Sequence, residues 1–156
     1  EFRFTFIFMK FNNAKILKDA QKQVVALVKD SVNIMGTEAV KFYTLNFRKQ
    51  GFDDNSVDKW QPRKNEFFSG IARVRKRERL ASGRAILVKS GALRRSLRYY
   101  RNGLTSVMIT SNLPYADAHN TGVKGRLPKR QFIGNSANLD KIILRKFDKR
   151  IYNIFK

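Results

Sequence analysis

The chain has 156 residues, 42% of them hydrophobic and 29% charged, which fits one domain with its own core. It contains no cysteine, which excludes disulfides, thiolate metal sites and a cysteine nucleophile, and is compatible with a reducing compartment. Lysine and arginine outnumber the acids by 33 to 12, and the net charge of +21 calls for an acidic counterpart: nucleic acid, an anionic surface or an acidic protein face.

A single domain over residues 1–156 is expected, with 1–11 as an N-terminal strand or extension and 64–85 as a basic arm. In the opening EFRFTFIFMKF, Phe2, Phe4, Phe6 and Phe8 alternate with Arg3, Thr5 and Ile7. A period of two predicts a strand. Its phenylalanine face must be covered by the core or by another chain. The segment is too short and too alternating for a signal peptide. Met9 offers a second start, with the first eight residues an upstream extension. No apolar run approaches the roughly 20 residues of a membrane span.

From Asn12 the period becomes helical, with Asn12 or Asn13 as N-cap. Ile16, Ala20, Val24, Leu27 and Val28 share one face, and Lys15, Lys18, Lys22 and Lys29 sit away from it. Gly36 interrupts and Thr37 can cap a second segment carrying Val40, Tyr43 and Phe47, or the two form one long bent helix; Gly51 is the stop signal. Both apolar stripes are expected in the core.

Residues 51–63, GFDDNSVDKWQPR, read as a polar loop. Its Asp53, Asp54 and Asp58 lack the glycine and terminal glutamate of a calcium loop, so a solvated acidic loop is expected. The following RVRKRERL is basic on every side and reads as an exposed arm. Ile86 to Val88 suggests a short strand, and Ser90 can cap a short helix through Leu93 to Leu97. Asn102-Gly103 predicts a type I′ hairpin turn with Leu104 to Ser111 as return strand, Val107 and Ile109 on one face. Phe132 to Gly134 reads as another short strand. From Ser136 a last helix places Leu139, Ile143, Phe147, Ile151 and Ile154 at helical spacing. The expected fold is α+β: an N-terminal helical region and a C-terminal helix on a small, mostly antiparallel sheet, with a long basic loop.

The chemistry on offer is sparse. Asp117 and His119, the only histidine, could support acid–base work, but no serine sits in a strained elbow, and a hydrogen-bonding role for His119 at a loop or subunit contact is expected instead. No metal site, cofactor or phosphate-binding loop is signalled. The basic signal is stronger. Residues 73–101 hold eleven Lys/Arg and one acid, Glu78. Such residues suit phosphates or an acidic protein surface without base specificity. Tyr99 and Tyr100 could stack on bases, though strand positions in a sheet account for them more simply.

Four stretches recur in a familiar order: Trp60-Gln61-Pro62-Arg63; ILVKSGALRRSL at 86–97, with Ser90, Gly91 and Leu93; YADAHNTG at 115–122, with Tyr115, Ala116, His119 and Gly122; and PKRQFIGNS at 128–136, with Pro128, Arg130, Phe132 and Gly134. In this order the chain resembles the phage virion morphogenesis, or tail completion, family, and more loosely the ring-forming head–tail joining proteins of long-tailed phages. The matched region runs over roughly residues 40–136. The loop before Trp60, NSVDKW, has fewer glycines than the family pattern, and the N-terminal phenylalanine strand has no counterpart in it.

The resemblance implies a non-enzymatic component of the virion at the head–tail junction, assembled in the bacterial host cytoplasm. It would act as a homo-oligomeric ring, a hexamer or dodecamer, between adjoining head or tail connector proteins. No membrane partner is expected. The motif residues would then be structural, with Tyr115 turned inward and His119 positioning the loop. Arg73, Arg75, Lys76, Arg77, Arg79 and Arg84 would meet a partner protein or, nonspecifically, DNA. Two rival readings are a basic nucleic-acid-binding module and a small nuclease.

Overall fold

The computed structural model describes residues 13–62, 85–103 and 106–156. The expected N-terminal strand and the basic arm with its six partner-contact residues lie outside the described residues, as do Arg63, Leu104 and Thr105.

The helical stretch is one continuous helix, α1 (Asn13–Lys49), and Gly36 lies inside it. A glycine within a helix ordinarily costs about 0.5–1 kcal/mol relative to alanine. Here packing demands it: a Cβ on Gly36 would sit 2.3 Å from the ring of Tyr99. Thr37 is not a cap either, since its hydroxyl donates back to the carbonyls of Asn33 and Ile34 (2.8 and 3.1 Å). The helix ends where Gln50 adopts a φ of 55°.

Residues 51–59 are not the expected loop. They form a hairpin of β1 (Gly51–Asp53) and β2 (Val57–Lys59), antiparallel with Phe52 opposite Asp58. The reason is apolar: Phe52 and the following Trp60 both go into the core, and a tight hairpin brings them there. Gly51 permits the approach, because a Cβ there would meet the Asp58 carbonyl oxygen at 2.4 Å.

Residues 86–88 form a turn, not a strand. Val88 N–H donates to Ala85 O (3.2 Å), Leu87 has a φ of 59°, and the Gln50 side-chain amide engages both backbone groups of Ile86. Helix α2 (Ala92–Arg95) is shorter than expected and ends before Leu97, which begins β3 (Leu97–Arg101). Strand β4 (Val107–Ser111) pairs with it antiparallel, Leu97 opposite Ser111 and Arg101 opposite Val107. The turn is not type I′. Gly103 has a φ of 88° but Asn102 is not in the left-handed region, and Asn102 N–H bonds across to Ser106 O (3.0 Å) in a longer connection.

After β4 come α3 (Ala116–Thr121) and α4 (Ala137–Ile154). The fold is α+β, with helices and two separate two-stranded antiparallel sheets among the described residues. The core joins α1 to both: Ala39, Phe42, Tyr43 and Phe47 meet Phe52 and Trp60 on one side, Leu93 and Leu97 on another, and Ala116, Phe132 and Leu139 close it. Phe47 sits at its centre, with Trp60 edge-on at 5.5 Å and Phe132 at 5.3 Å.

Helix α4 packs along α1 and is fixed by its own N-terminus. Ser136 Oγ accepts from Leu139 N–H (3.2 Å) and donates to Asp53 O (2.8 Å); Asp54 accepts from Ala137 N–H (2.7 Å). The acidic loop is therefore not merely solvated. Asp53 is buried, with Lys49 and Asn138 on its carboxylate, and Asp54 answers the positive end of α4. Further along, Lys146 bonds Glu38 (2.5 Å) and Arg150 bonds Asp30 (3.0 Å). Leu139 is buried, but Ile151 at the far end of the expected apolar face is exposed. The first half of α1 departs from expectation in the same way. Of its expected stripe Ile16, Val24 and Val28 are exposed and Leu27 is half-buried; only Ala20 is buried.

Candidate functional site

Three of the four stretches that carry the resemblance are joined by hydrogen bonds, although they are spread over more than seventy residues of chain, and the fourth, 86–97, reaches the same core through Leu93 and Leu97. Trp60 is buried and its indole N–H donates to Gln131 O (2.7 Å). Arg130, also buried, donates from Nε to Gln61 O (3.0 Å) and from Nη2 to Pro62 O (3.3 Å), and its backbone N–H donates to His119 O (2.9 Å). Phe132 fills the core. The backbone N–H groups of Phe132 and Ile133 both donate to Asn120 Oδ1 (2.9 and 3.0 Å). Asn46 donates to Phe132 O (3.2 Å), and Tyr43 OH donates to Gly134 O (2.7 Å).

These bonds explain why 132–134 is not a strand. Side chains of α1 and α3 bond its backbone where a neighbouring strand would. Asn46, 0% exposed, is the clearest device: its amide also accepts from Asp53 N–H (3.3 Å), so one side chain ties α1 to the first hairpin and to the 128–136 stretch. Sequence reading missed Asn46, Asn120 and Gln50. An amide between Phe42, Tyr43 and Phe47 on a helix face was the signal available, because an apolar neighbourhood holds an amide only if its bonds are made.

The remaining motif residues fall around this junction. Gly91 (φ 76°) precedes α2, with Ser90 Oγ accepting from Ala92 N–H (3.3 Å) and Leu93 buried. Gly122 has a φ of 80°, and a Cβ there would lie 2.8 Å from Lys129 N, so the chain crosses itself where only glycine fits. Pro128 is half-buried beside that crossing. Tyr115 is a correction: it is 43% exposed, not inward. Ala116, one residue and about 100° further round the helix, takes the inward place.

His119 and Asp117 do not form a catalytic pair. Two residues apart on α3, they point about 200° from each other. The backbone oxygen of His119 makes the contact to Arg130, whereas its buried Nδ1 has no hydrogen-bond partner among the described residues. Tyr115 stands edge-on to the imidazole at 6.0 Å. Burial, and then the Arg130 charge, hold the His119 pKa below its ordinary 6.5 and favour the neutral ring. An open cavity of about 510 Å³ adjoins it, lined in part by Leu87, Val88, Ser90, Tyr115 and Arg130.

The two tyrosines of β3 separate. Tyr99 packs on Gly36 and Tyr100 is exposed opposite Met108, on the same outward face as Arg98. Among the described residues no group of three or more His, Cys, Asp or Glu gathers, and no helix is long and apolar enough to cross a membrane. Comparison with protein-family models finds no match, and neither the curated proteins nor the solved structures compared with the chain match it.

Proposed function

We propose that the chain is a non-enzymatic structural component of a phage virion, a tail completion or head–tail connector protein that works as an oligomeric ring at the head–tail interface. One observation supports this reading best. Three of the stretches that suggest the family converge on a junction whose polar side chains are spent on backbone groups: Trp60 on Gln131, Arg130 on Gln61 and Pro62, and Asn120 on Phe132 and Ile133. Residues used in this way hold a scaffold rigid, as a ring component requires. The charge of +21 fits acidic faces of adjoining rings, with DNA in the lumen a looser contact.

Light scattering on the chromatographically separated protein, followed by electron microscopy, tests the reading. A closed ring of hexamer or dodecamer mass supports it, and a monomer at every concentration rejects it. A second reading, a module that binds nucleic acid nonspecifically, draws on the exposed Tyr100 with Arg98 beside it. Tight DNA binding by a monomer, lost with rising salt and with Tyr100→Ala, would favour that reading.

A further inference from the structure

The largest unexplained feature of the molecule is the first half of α1. At about 100° per residue, Ile16, Leu17, Ala20, Val24, Leu27 and Val28 fall within an arc of about 120°, and Lys15, Lys18, Lys22 and Lys29 within about 60° on the far side. The helix is thus built to bury one face, yet Ile16 is 62% exposed, Leu17 66% and Val28 56%. The described strands reach α1 only beyond this half, with Arg101 on Asn33 and Tyr99 on Gly36. Helix α4 lies alongside and leaves Ile151, Tyr152 and Phe155 exposed at its own end.

We infer that this stripe is a subunit contact, and that its occupant is the phenylalanine row, residues 2–8, of a neighbouring copy. The inference rests on the oligomeric reading above in requiring that copies associate.

Three observations point to that occupant. The first is area. The exposed fractions of Ile16, Leu17, Val24 and Val28 amount to on the order of 400 Å² of apolar surface, as large as the biggest patch a typical monomer carries. That is about half of what one partner contributes to a stable interface of standard size. Four phenylalanines can each add on the order of 150 Å² or more, which makes up the remainder. The second is length. Residues 2–8, if extended, span about 20 Å. The stripe from Ile16 to Val28 spans about 18 Å. The third is connection. Residues 9–12, Met-Lys-Phe-Asn, join the row directly to the start of α1, so the row and the stripe are neighbours in the chain. Head-to-tail exchange of such rows between copies is a contact that closes into rings. Charge favours the same arrangement. With the lysines on the far side, the contact brings none of α1's positive charge into the interface of two strongly basic copies.

The experiment compares assembly of the full chain with three variants, by light scattering across a hundredfold concentration range and by thermal melting. Val24→Asp with Val28→Asp, and separately deletion of residues 1–8, should each raise the concentration for assembly at least tenfold. The monomer's melting should not change. Lys18→Asp with Lys22→Asp, the control on the far face, should not weaken assembly. Assembly of the Val24→Asp/Val28→Asp variant at the wild-type concentration would overturn this contact and leave the ring reading standing. A wild-type chain that stays monomeric throughout would overturn both. A Val24→Asp/Val28→Asp monomer that melts lower than the wild-type monomer would place the cover within one chain. Wild-type monomers that bind anionic vesicles through Val24 and Val28 would give the stripe to a lipid surface. Either of these last two results would also overturn the proposal.

Discussion

Helix α1 carries the same amphipathic signal along its length, but its two halves have different fates. In the second half, Ala39, Phe42, Tyr43 and Phe47 meet two hairpins and the 128–136 stretch. In the first half, Ile16, Leu17, Val24, Val25 and Val28 meet solvent. Periodicity in a sequence states that a face needs covering. It does not say by what, and a contact supplied by another chain is written in the same pattern as a core. The second half also carries Asn46, a buried amide whose two hydrogen bonds, to Asp53 N–H and Phe132 O, tie the helix to two other parts of the fold.

The widest separation between the halves should come from truncating apolar side chains. Phe47→Ala or Phe132→Ala removes a ring from the centre of the core and should cost about 3–5 kcal/mol. Val24→Ala should stay within about 0.5 kcal/mol in the monomer, as at any exposed site. Urea denaturation of dilute protein measures both. Equal losses would show that the first half is covered within the chain.

Asn46→Leu comes next. It keeps the size of the side chain but leaves Phe132 O and Asp53 N–H without this partner, at a cost of about 1–3 kcal/mol. Unfolding by urea should show the loss with little change in slope. A neutral result would mean that the junction does not depend on this amide.

How much of this was legible beforehand follows from where the information sits. The last helix was readable at its start because Ser136 and the spacing after it are local signals, and Ser136 does cap it. The α+β class was readable for the same reason. The hairpin at Gly51 was not, because Phe52 and Trp60 are drawn inward by partners far along the chain, Phe132 among them. The strand expected at 132–134 failed because three side chains, Asn46, Asn120 and Tyr43, replace the strand partner, and nothing local to Phe132 announces that. The resemblance implies an inward Tyr115, yet Ala116 takes that place and Tyr115 stays partly exposed. The motif residues around Trp60 and Arg130 were identified, but their mutual contacts were visible only in the fold.

Gly36→Ala gives a smaller effect with an informative sign. In an open helix the change would stabilise by about 0.5–1 kcal/mol. Here the new methyl meets Tyr99, and overpacking should reverse the sign, to a net loss of about 1 kcal/mol. Thermal melting with Tyr99→Ala as a second change separates the terms: in the double variant the alanine should become favourable. The smallest effect concerns His119. Its pKa is held below 6.5 in the fold, so the unfolded chain binds the proton more readily. Stability from the neutral ring is therefore complete above about pH 6.5 and declines as pH falls through the lowered value. His119→Gln should flatten that acid limb of a melting-temperature profile. An unchanged limb would assign it to Glu38 or Asp53, whose pKa values are also lowered. Hydrogen bonding from Lys146 lowers that of Glu38; at Asp53 burial opposes the change, but hydrogen bonds from Lys49 and Asn138 prevail.

Native-state hydrogen exchange along α1, read at several protein concentrations, tests most directly whether the two halves differ in what covers them. Backbone amides from 34 to 47 should exchange only with global unfolding, at every concentration. Those from 17 to 28 should exchange readily in dilute protein and become protected as concentration rises and copies associate. Protection of the first half that is equal to the second and independent of concentration would contradict the account.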